Sequence, residues 1–411
     1  MLQNVFFFFH NKQYLNKLNC LRFFQSLSSN YSSLDNPKSL SFTLRLSLLS
    51  SPLIFHRSRS IMTTASPNST PKPKVLRLGK IRFGQEKWDE VSKYAEVVDC
   101  DSANREQFLK DLQGKYSDVT NISRTFESVA QTGRFDEEVA AHVPKTLVSV
   151  SHTGAGYDQV DVEPFTKRGI QVSNITVPVE APTADTAVWL AITCLRNYKV
   201  ASDLVKQGKW PGQAAAGAKL GHSPEGKVVG IMGMGGIGRA IRDRLKPFGF
   251  EKIIYYNRSR LDPKLEAGAE YVSKEELFKQ SDIIMISIPL NAHTRHSIDK
   301  SAIEQMKDGV ILVNTARGAV IKESELPELI KSGKIGALGA DVFENEPEIP
   351  KELLELPQVV ALPHVGTYTS EAIKNMEDWV ADNVLSAIKT GKVKSIVPEQ
   401  KDTKFDVKPL V

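Results

Sequence analysis

A strand, a glycine turn, a helix and a second strand can be read in the stretch Lys227 to Arg260, KVVGIMGMGGIGRAIRDRLKPFGFEKIIYYNRSR. Val228, Val229, Ile231 and Met232 form a short apolar run ending in Gly233, Gly235 and Gly238 at G-x-G-x-x-G spacing, and an amphipathic segment from Ile237 to Phe248 follows. Few folds accommodate this succession. The first glycine bends the chain tightly, the second lets backbone N–H groups approach a pyrophosphate with no Cβ in the way, and the third lets helix and strand pack closely. The helix then turns its positive N-terminal end toward the anion. Glycine turns also occur where nothing binds, so the placement between a strand and a helix is what gives the motif weight.

The second strand, Ile253 to Tyr256, ends in Asn257, Arg258, Ser259 and Arg260. Dinucleotide sites that take NAD usually carry an acidic residue here for the ribose hydroxyls, and this chain has none. Two arginines and a serine complement a 2′-phosphate, so NADPH is expected to be preferred, with NADH possible; the competing reading is a solvated basic turn.

The chain has 411 residues, 41% hydrophobic and 25% charged, enough for two globular domains. Its net charge of +5 is small, and much of the excess falls in the first sixty residues, so no nucleic-acid partner is expected. Cys20, Cys100 and Cys194 form no C-x-x-C or Cys/His cluster, which argues against a disulfide framework or a metal site and fits a reducing compartment. Residues 1–61 are rich in Ser, Leu and Phe and carry seven Lys or Arg against the single acid Asp35, a composition like that of a mitochondrial presequence. A disordered tail, or translation starting at Met62, would account for it equally. The expected location is therefore cytoplasmic, or mitochondrial if residues 1–61 are translated and act as a presequence. Arg45 divides the longest apolar run, so no membrane span is expected. Thr63 to Lys74, TTASPNSTPKPK, reads as a polar linker.

From Val75 to about Val177, strands at Val75–Leu78, Val97–Val98, Val119–Ile122, Leu147–Ser151 and Gln171–Val172 alternate with helices at Glu86–Tyr94, Arg105–Leu112, Phe135–His142 and Val162–Lys167. Thr183 to Asn197 reads as a long helix buried on more than one face, leading into the dinucleotide part. Beyond the glycine turn, helices are expected from Ser273 to Lys279, from Asp299 to near Met306 and at Glu323–Lys331. Strands are expected at Ile283–Ile288, Val310–Val313, Ile335–Phe343 and Val359–Leu362, making six in all, and the helix Ser370–Lys389 should return to the first domain. The fold expected is α/β: two Rossmann-like domains with doubly wound parallel sheets, the dinucleotide domain inserted into a flavodoxin-like substrate domain. Residues 1–73 would be a disordered or targeting segment, 74–178 with 366–411 the substrate domain, and 179–365 the dinucleotide-binding domain.

Ligands in such sheets bind beyond the carboxyl ends of the strands. Three polar residues follow such ends: Arg317 in NTARG, Glu346 in DVFENEP and His364 in LPHVG. Each singly could be a surface charge or a satisfied loop residue; together on one rim they suggest chemistry. Reducing a 2-oxo acid needs a cation for the carboxylate and carbonyl, a proton donor for the developing alkoxide, and a group that keeps the donor protonated. Arginine, histidine and a carboxylate supply these.

The chain resembles the D-isomer-specific 2-hydroxyacid dehydrogenases, on their glyoxylate/hydroxypyruvate reductase branch, over roughly Val75 to Pro398. The carriers are HTGAGYDQVD from His152, GIMGMGGIG from Gly230, Pro289-Leu290 with Thr294, MKDGVILVNTARGAVI from Met306, GALGADVFENEP from Gly336 and LPHVG from Leu362. The resemblance implies that Arg317, Glu346 and His364 are catalytic, and that backbone N–H groups of Ala155 and Gly156 hold the substrate carboxylate together with Arg317. It further implies cofactor contacts from Gly233, Gly235, Gly236, Ile237, Gly238, Arg258, Pro289, Thr294, Thr315 and Asp341, the last near the nicotinamide carboxamide. Many members have threonine where this chain has Asn291, and many read L-D-V where it reads Ala340-Asp341-Val342. Arg124, in ISRTFES, is placed in the loop after a strand, within reach of the substrate; Trp210, in GKWPG, could serve a dimer contact.

The function expected is NADPH-dependent reduction of small 2-oxo acids, glyoxylate and hydroxypyruvate, to D-2-hydroxy acids, by a homodimer with no nucleic-acid or membrane partner. The alternatives are a dinucleotide-sensing corepressor-like protein on the same scaffold and a dehydrogenase for bulkier branched 2-oxo acids. Glu346 argues against a formate dehydrogenase, which shares the architecture but lacks that glutamate.

Overall fold

The computed structural model of the chain describes residues 72–210 and 220–411. The expected presequence and most of the linker lie outside them.

Five strands, β1 (Lys74–Leu78), β2 (Glu96–Asp99), β3 (Val119–Thr125), β4 (Ser149–Thr153) and β5 (Gln171–Ser173), form one parallel sheet in the order β2-β1-β3-β4-β5. This is the flavodoxin-like doubly wound order. Seven more, β6 (Val228–Met232), β7 (Lys252–Tyr256), β8 (Glu270–Tyr271), β9 (Ile283–Ile286), β10 (Val310–Asn314), β11 (Ile335–Ala340) and β12 (Val359–Ala361), form a second parallel sheet ordered β12-β11-β10-β9-β6-β7-β8. The chain enters that sheet in the middle, winds outward through β7 and β8, then crosses to β9 and winds the other way. The crevice of such a sheet lies where the winding reverses, here beyond the carboxyl ends of β6 and β9.

The continuous apolar runs of β9 and β10 are buried at every position because helices cover both faces of the sheet. Helix α1 spans Gln85–Tyr94 in the first part of the chain, and one of the helices covering the second sheet is α2 (Glu180–Leu195). Helix α2 packs on β10, β11 and the glycine-turn helix α3 (Gly236–Leu245). Gly339 of β11 permits the close approach: a Cβ there would sit 3.0 Å from Leu190 Cβ and 3.2 Å from Cys194 Sγ. Leu190 is fully buried, a contribution of about 1.5–3 kcal/mol.

The long helix α4 (Ser370–Thr390) starts at Thr369, whose side chain accepts from Ala372 N, and stops at Gly391, which has φ +72°. Val380, Val384, Leu385 and Ile388 make its buried stripe and pack on Val75 of β1 and on Trp88 and Val91 of α1. Glu377 adds a polar clasp. Its carboxylate accepts from the backbone N–H groups of Arg82, Phe83 and Gly84 at 2.6 to 2.8 Å, pinning the loop after β1 to α4.

The departures from expectation are local. A seventh strand, β8, is only two residues long and paired to β7 alone, too short for alternation to register. The segment Tyr198–Lys206 is a separate helix, divided from α2 by Asn197 in the left-handed region at φ +52°. Asp341, Val342 and Phe343 lie beyond the end of β11, and β4 begins at Ser149 rather than Leu147.

Candidate active site

Each glycine of the turn has its own steric reason. Gly233 has φ +101° and abuts the carbonyl of Ser287 at the end of β9. A Cβ on Gly238 would fall on the Gly233 carbonyl, so α3 can approach β6 only without one. Above Gly235 the space is open, with nothing within 4 Å of an ideal Cβ. The turn is held by Asn257, whose Oδ1 accepts from Met234 N at 2.7 Å. The residue in the customary acidic position thus braces the glycine loop. An open cradle over Gly235 at the amino end of α3 suits a pyrophosphate, and the residues present fit a nicotinamide dinucleotide.

A cleft of about 270 Å³ is lined by Ile237, Pro289, Thr315, Arg317, Asp341 and His364 from the second sheet and by Phe126, Ala155 and Gly156 from the first. His364 Nδ1 lies 2.8 Å from Glu346 Oε2, and Glu346 Oε1 accepts from Phe343 N at 2.9 Å. An ionised carboxylate only accepts, so Nδ1 carries the hydrogen and Nε2 is the ring nitrogen left for a substrate. Burial pushes the Glu346 carboxyl up, but the His364 hydrogen bond and charge, the Phe343 N–H and Arg317 outweigh it and hold the group below its ordinary value.

His364 has φ +55°, an uncommon left-handed conformation for histidine. Asp341 over-determines it: its carbonyl accepts from His364 N, and its carboxylate accepts from Val365 N at 2.8 Å and Gly366 N at 2.7 Å. Burial nevertheless raises the Asp341 carboxyl above its usual value, the two backbone N–H groups opposing it. Arg317 spans the sheets. Its Nε donates to Asp158 Oδ1 at 2.7 Å, one terminal nitrogen to the Gly156 carbonyl at 3.0 Å and the other to the Ala316 carbonyl at 2.8 Å. Phe126 separates the two groups, edge-on to the His364 ring at 5.3 Å and 5.8 Å from the guanidinium carbon.

The loop Gly154–Gly156 has an unusual polarity. The Gly154 carbonyl accepts from Ile175 N at 2.9 Å and the Ala155 carbonyl from Asn174 Nδ2 at 2.8 Å. In trans peptides the following N–H groups, those of Ala155 and Gly156, point the opposite way. Neither has an acceptor among the described residues. Two unpaired backbone donors beside an arginine have the chemistry that suits a carboxylate.

A second cavity of about 620 Å³ adjoins the cleft, sharing Phe126, Thr153, His364, Thr367 and Met376 and extending to Ile81, Gln131 and Ile373.

Some expected residues stand elsewhere. Thr294 is not on the cleft; its hydroxyl closes its own turn, donating to Pro289 O at 2.7 Å and accepting from Asn291 N at 2.8 Å. Arg258 is exposed and, among the described residues, unpaired, whereas Arg260 is committed to a two-point contact with Glu266 at 2.7 and 3.0 Å. The placement of Arg124 in a loop is corrected: it belongs to β3, is fully buried and does not reach the cleft, because the strand runs through Thr125. Trp210 is exposed at 65%. Phe126, Ser287 and Asp158 carry no role in the sequence reading. Of these, only Asp158 carries a signal, as one of the two acids, with Asp161, in the glycine-containing stretch HTGAGYDQVD.

Residues 188–366 match the family description "D-isomer specific 2-hydroxyacid dehydrogenase, NAD binding domain". The chain is 52% identical over 347 residues to glyoxylate reductase 1 of Saccharomyces cerevisiae, covering 83% of this chain and 99% of that one. Among solved structures it resembles a glyoxylate reductase from Paecilomyes thermophila, with TM-score 0.78, 43% identity and coverage of 81% of this chain and 100% of that one. It also resembles an NADPH-dependent glyoxylate/hydroxypyruvate reductase from Sinorhizobium meliloti in complex with NADP and malonate, with TM-score 0.69, 29% identity and coverage of 80% and 97%. With the glycine turn, the sheet order and 52% identity over 83% of the chain in agreement, the chain belongs to the D-isomer-specific 2-hydroxyacid dehydrogenases, on their glyoxylate/hydroxypyruvate reductase branch.

Proposed function

We propose that the protein is a reductase of small 2-oxo acids, glyoxylate and hydroxypyruvate, that yields D-2-hydroxy acids and prefers NADPH. Residues 74–178 with 366–411 serve the acid in this reading, and 179–365 serve the dinucleotide. The observation that carries it is the meeting on one cleft of Arg317, the His364–Glu346 pair and the unpaired N–H groups of Ala155 and Gly156. When bound, the nicotinamide supplies a hydride for the keto carbon. The Ala155 and Gly156 N–H groups and Arg317 hold the substrate carboxylate, and Arg317 also polarises the carbonyl. His364 donates a proton from Nε2 to the developing alkoxide, and Glu346 favours the charged ring. The turn Gly233 to Gly238 with Ile237 holds the pyrophosphate, Pro289 and Thr315 line the nicotinamide side, and Asp341 fixes the backbone that carries His364.

A trigonal keto carbon has three substituents in one plane. With the carboxylate at the glycine loop and the oxygen at His364, the third is directed away from both, toward the cavity of about 620 Å³. That space favours a wider range that includes branched 2-oxo acids. Loss of NADPH absorbance with glyoxylate, hydroxypyruvate and 4-methyl-2-oxopentanoate tests both readings. Turnover with none of them, at any dinucleotide concentration, would rule the enzyme reading out in favour of a dinucleotide-sensing protein.

The preference for NADPH is supported by the unpaired Arg258 after β7, by the missing carboxylate there and by the related structure that holds NADP. Arg258→Ala is expected to weaken NADPH binding about tenfold, one charge-assisted phosphate contact, and to leave NADH within twofold. Equal losses for both in a fluorescence titration would contradict the assignment. We also read the chain as a homodimer, since Trp189, Tyr198 and Val205 are 51%, 47% and 52% exposed along two consecutive helices. Sedimentation equilibrium should return twice the chain mass; the mass of a single chain at micromolar concentration would refute this.

A further inference from the structure

We propose that the buried pair Arg124 and His152 consists of positioning residues that set the Gly156 carbonyl, and through it the Arg317 guanidinium, for the substrate carboxylate. The inference rests on the functional reading above and adds two residues to it that do not touch the cleft.

Arg124 and His152 are register partners on the adjacent strands β3 and β4, and neither is exposed at all. A guanidinium in a core is costly unless it is paired. Yet the nearby carboxylate, Asp158, is already engaged by Arg317 at 2.7 Å. Arg124 makes do with the Gln159 carbonyl oxygen at 2.8 Å, the face of Phe135 at 4.9 Å and His152 Nδ1 at 3.5 Å, and its own Nε has no partner. Burial pushes this guanidinium down to about 10, with the Asp158 charge opposing. A residue kept under such conditions needs a reason that packing does not give, since a methionine would fill the space without the desolvation.

The reason lies in the imidazole. A guanidinium has only donors, so the ring nitrogen facing it, Nδ1, must hold a lone pair, and the hydrogen resides on Nε2. That nitrogen is 3.0 Å from the Gly156 carbonyl. Protonation cannot undo the arrangement in the working range, because burial, with Arg124 and Arg317 nearby, pushes His152 down to about 3. The Gly156 carbonyl therefore accepts twice, from His152 Nε2 and from Arg317 at 3.0 Å, which occupies both of its lone pairs.

The glycines of the loop fit this arrangement. A Cβ on Gly156 would fall on the Arg317 guanidinium, and one on Gly154 would come 2.8 Å from His152 Nε2. Both side chains thus press directly on the loop backbone, and the loop N–H groups and Arg317 are located against one fixed carbonyl.

The test is steady-state kinetics of NADPH oxidation with a 2-oxo acid, together with oxamate titration of the NADPH complex. In His152→Leu the KM and the oxamate Kd should rise about tenfold, roughly one hydrogen bond to a charged site, while kcat stays within threefold and NADPH binding within twofold. His152→Gln, whose amide can present a donor at the same point, should restore KM to within threefold of wild type. A merely structural role would lower the melting temperature of both variants and leave KM alone. Arg124→Met is the second arm: it frees Nδ1 to take the hydrogen, and KM should rise in the same direction. Unchanged KM and oxamate binding in His152→Leu or in Arg124→Met overturn the proposal, as does a glutamine variant as impaired as the leucine one. A wild-type chain that turns over no 2-oxo acid overturns the functional reading instead, so the two failures are distinguishable.

Discussion

In His364→Ala, kcat for 2-oxo acid reduction should fall on the order of 10²–10⁴-fold, the usual worth of a positioned general acid, with dinucleotide binding and melting temperature close to wild type. The expectation of intact folding has a physical basis. The His364 side chain is 34% exposed, and its hydrogen-bond partner among the described residues is Glu346, so its removal leaves without a partner only that carboxylate, which keeps the Phe343 N–H.

Glu346→Gln provides the companion measurement. The wild-type carboxyl sits below its ordinary value of 4.5, so it stays ionised throughout the neutral range; its contribution to stability is present above that value and is lost as pH falls through the lowered one. The amide removes the negative charge that favours the imidazolium, so the alkaline limb of kcat/KM should move to lower pH. Near-normal turnover in His364→Ala, or an unmoved alkaline limb in Glu346→Gln, would take this pair out of the proton transfer.

What the sequence disclosed, and what it hid, follows the range of the forces involved. The glycine turn, the buried run of β9 and the cap residues Ser273 and Asp299 are set by neighbours within a few positions, and all form as their local patterns imply. The His364–Glu346 contact was also within reach, since 18 residues and one strand separate the partners. By contrast, the Arg317–Asp158 contact joins residues 159 apart on different sheets, and no periodicity records it. Arg124 illustrates a different failure. The polar run Ser123, Arg124, Thr125 reads as a loop, whereas all three belong to β3 and Arg124 faces buried polar partners, His152 and Gln159. Polarity marks loops only when no buried polar network competes for the side chain. Asn257 shows the same limit at the cofactor end: its residue type marks only a missing carboxylate, whereas its side chain braces the glycine loop through Met234 N.

The second large effect is expected at Arg317, where activity and stability can be separated. Its five donors include three already used, toward Asp158, Gly156 and Ala316, which leaves one on each terminal nitrogen for an oxygen in the cleft. Lysine has a single point charge and cannot keep these contacts while presenting a planar pair, so Arg317→Lys should lower kcat/KM by about 10²–10³-fold. Arg317→Leu should be at least as inactive and also less stable, by about 1–3 kcal/mol, because Asp158 is left partly buried without its cation. The sign with pH is fixed by that carboxyl. Burial pushes Asp158 up and Arg317, by charge and hydrogen bond, brings it below its ordinary value, so the wild-type contribution is present above about pH 4 and fades as the carboxyl protonates. In the leucine variant burial acts unopposed by Arg317, and the stability deficit should shrink as pH falls. Adding Asp158→Asn to Arg317→Leu should recover most of the melting temperature at neutral pH and none of the turnover. Recovery of both would mean that Arg317 acts only by holding the two sheets together, and recovery of neither would mean that the Asp158 carboxylate is not the group its loss exposes.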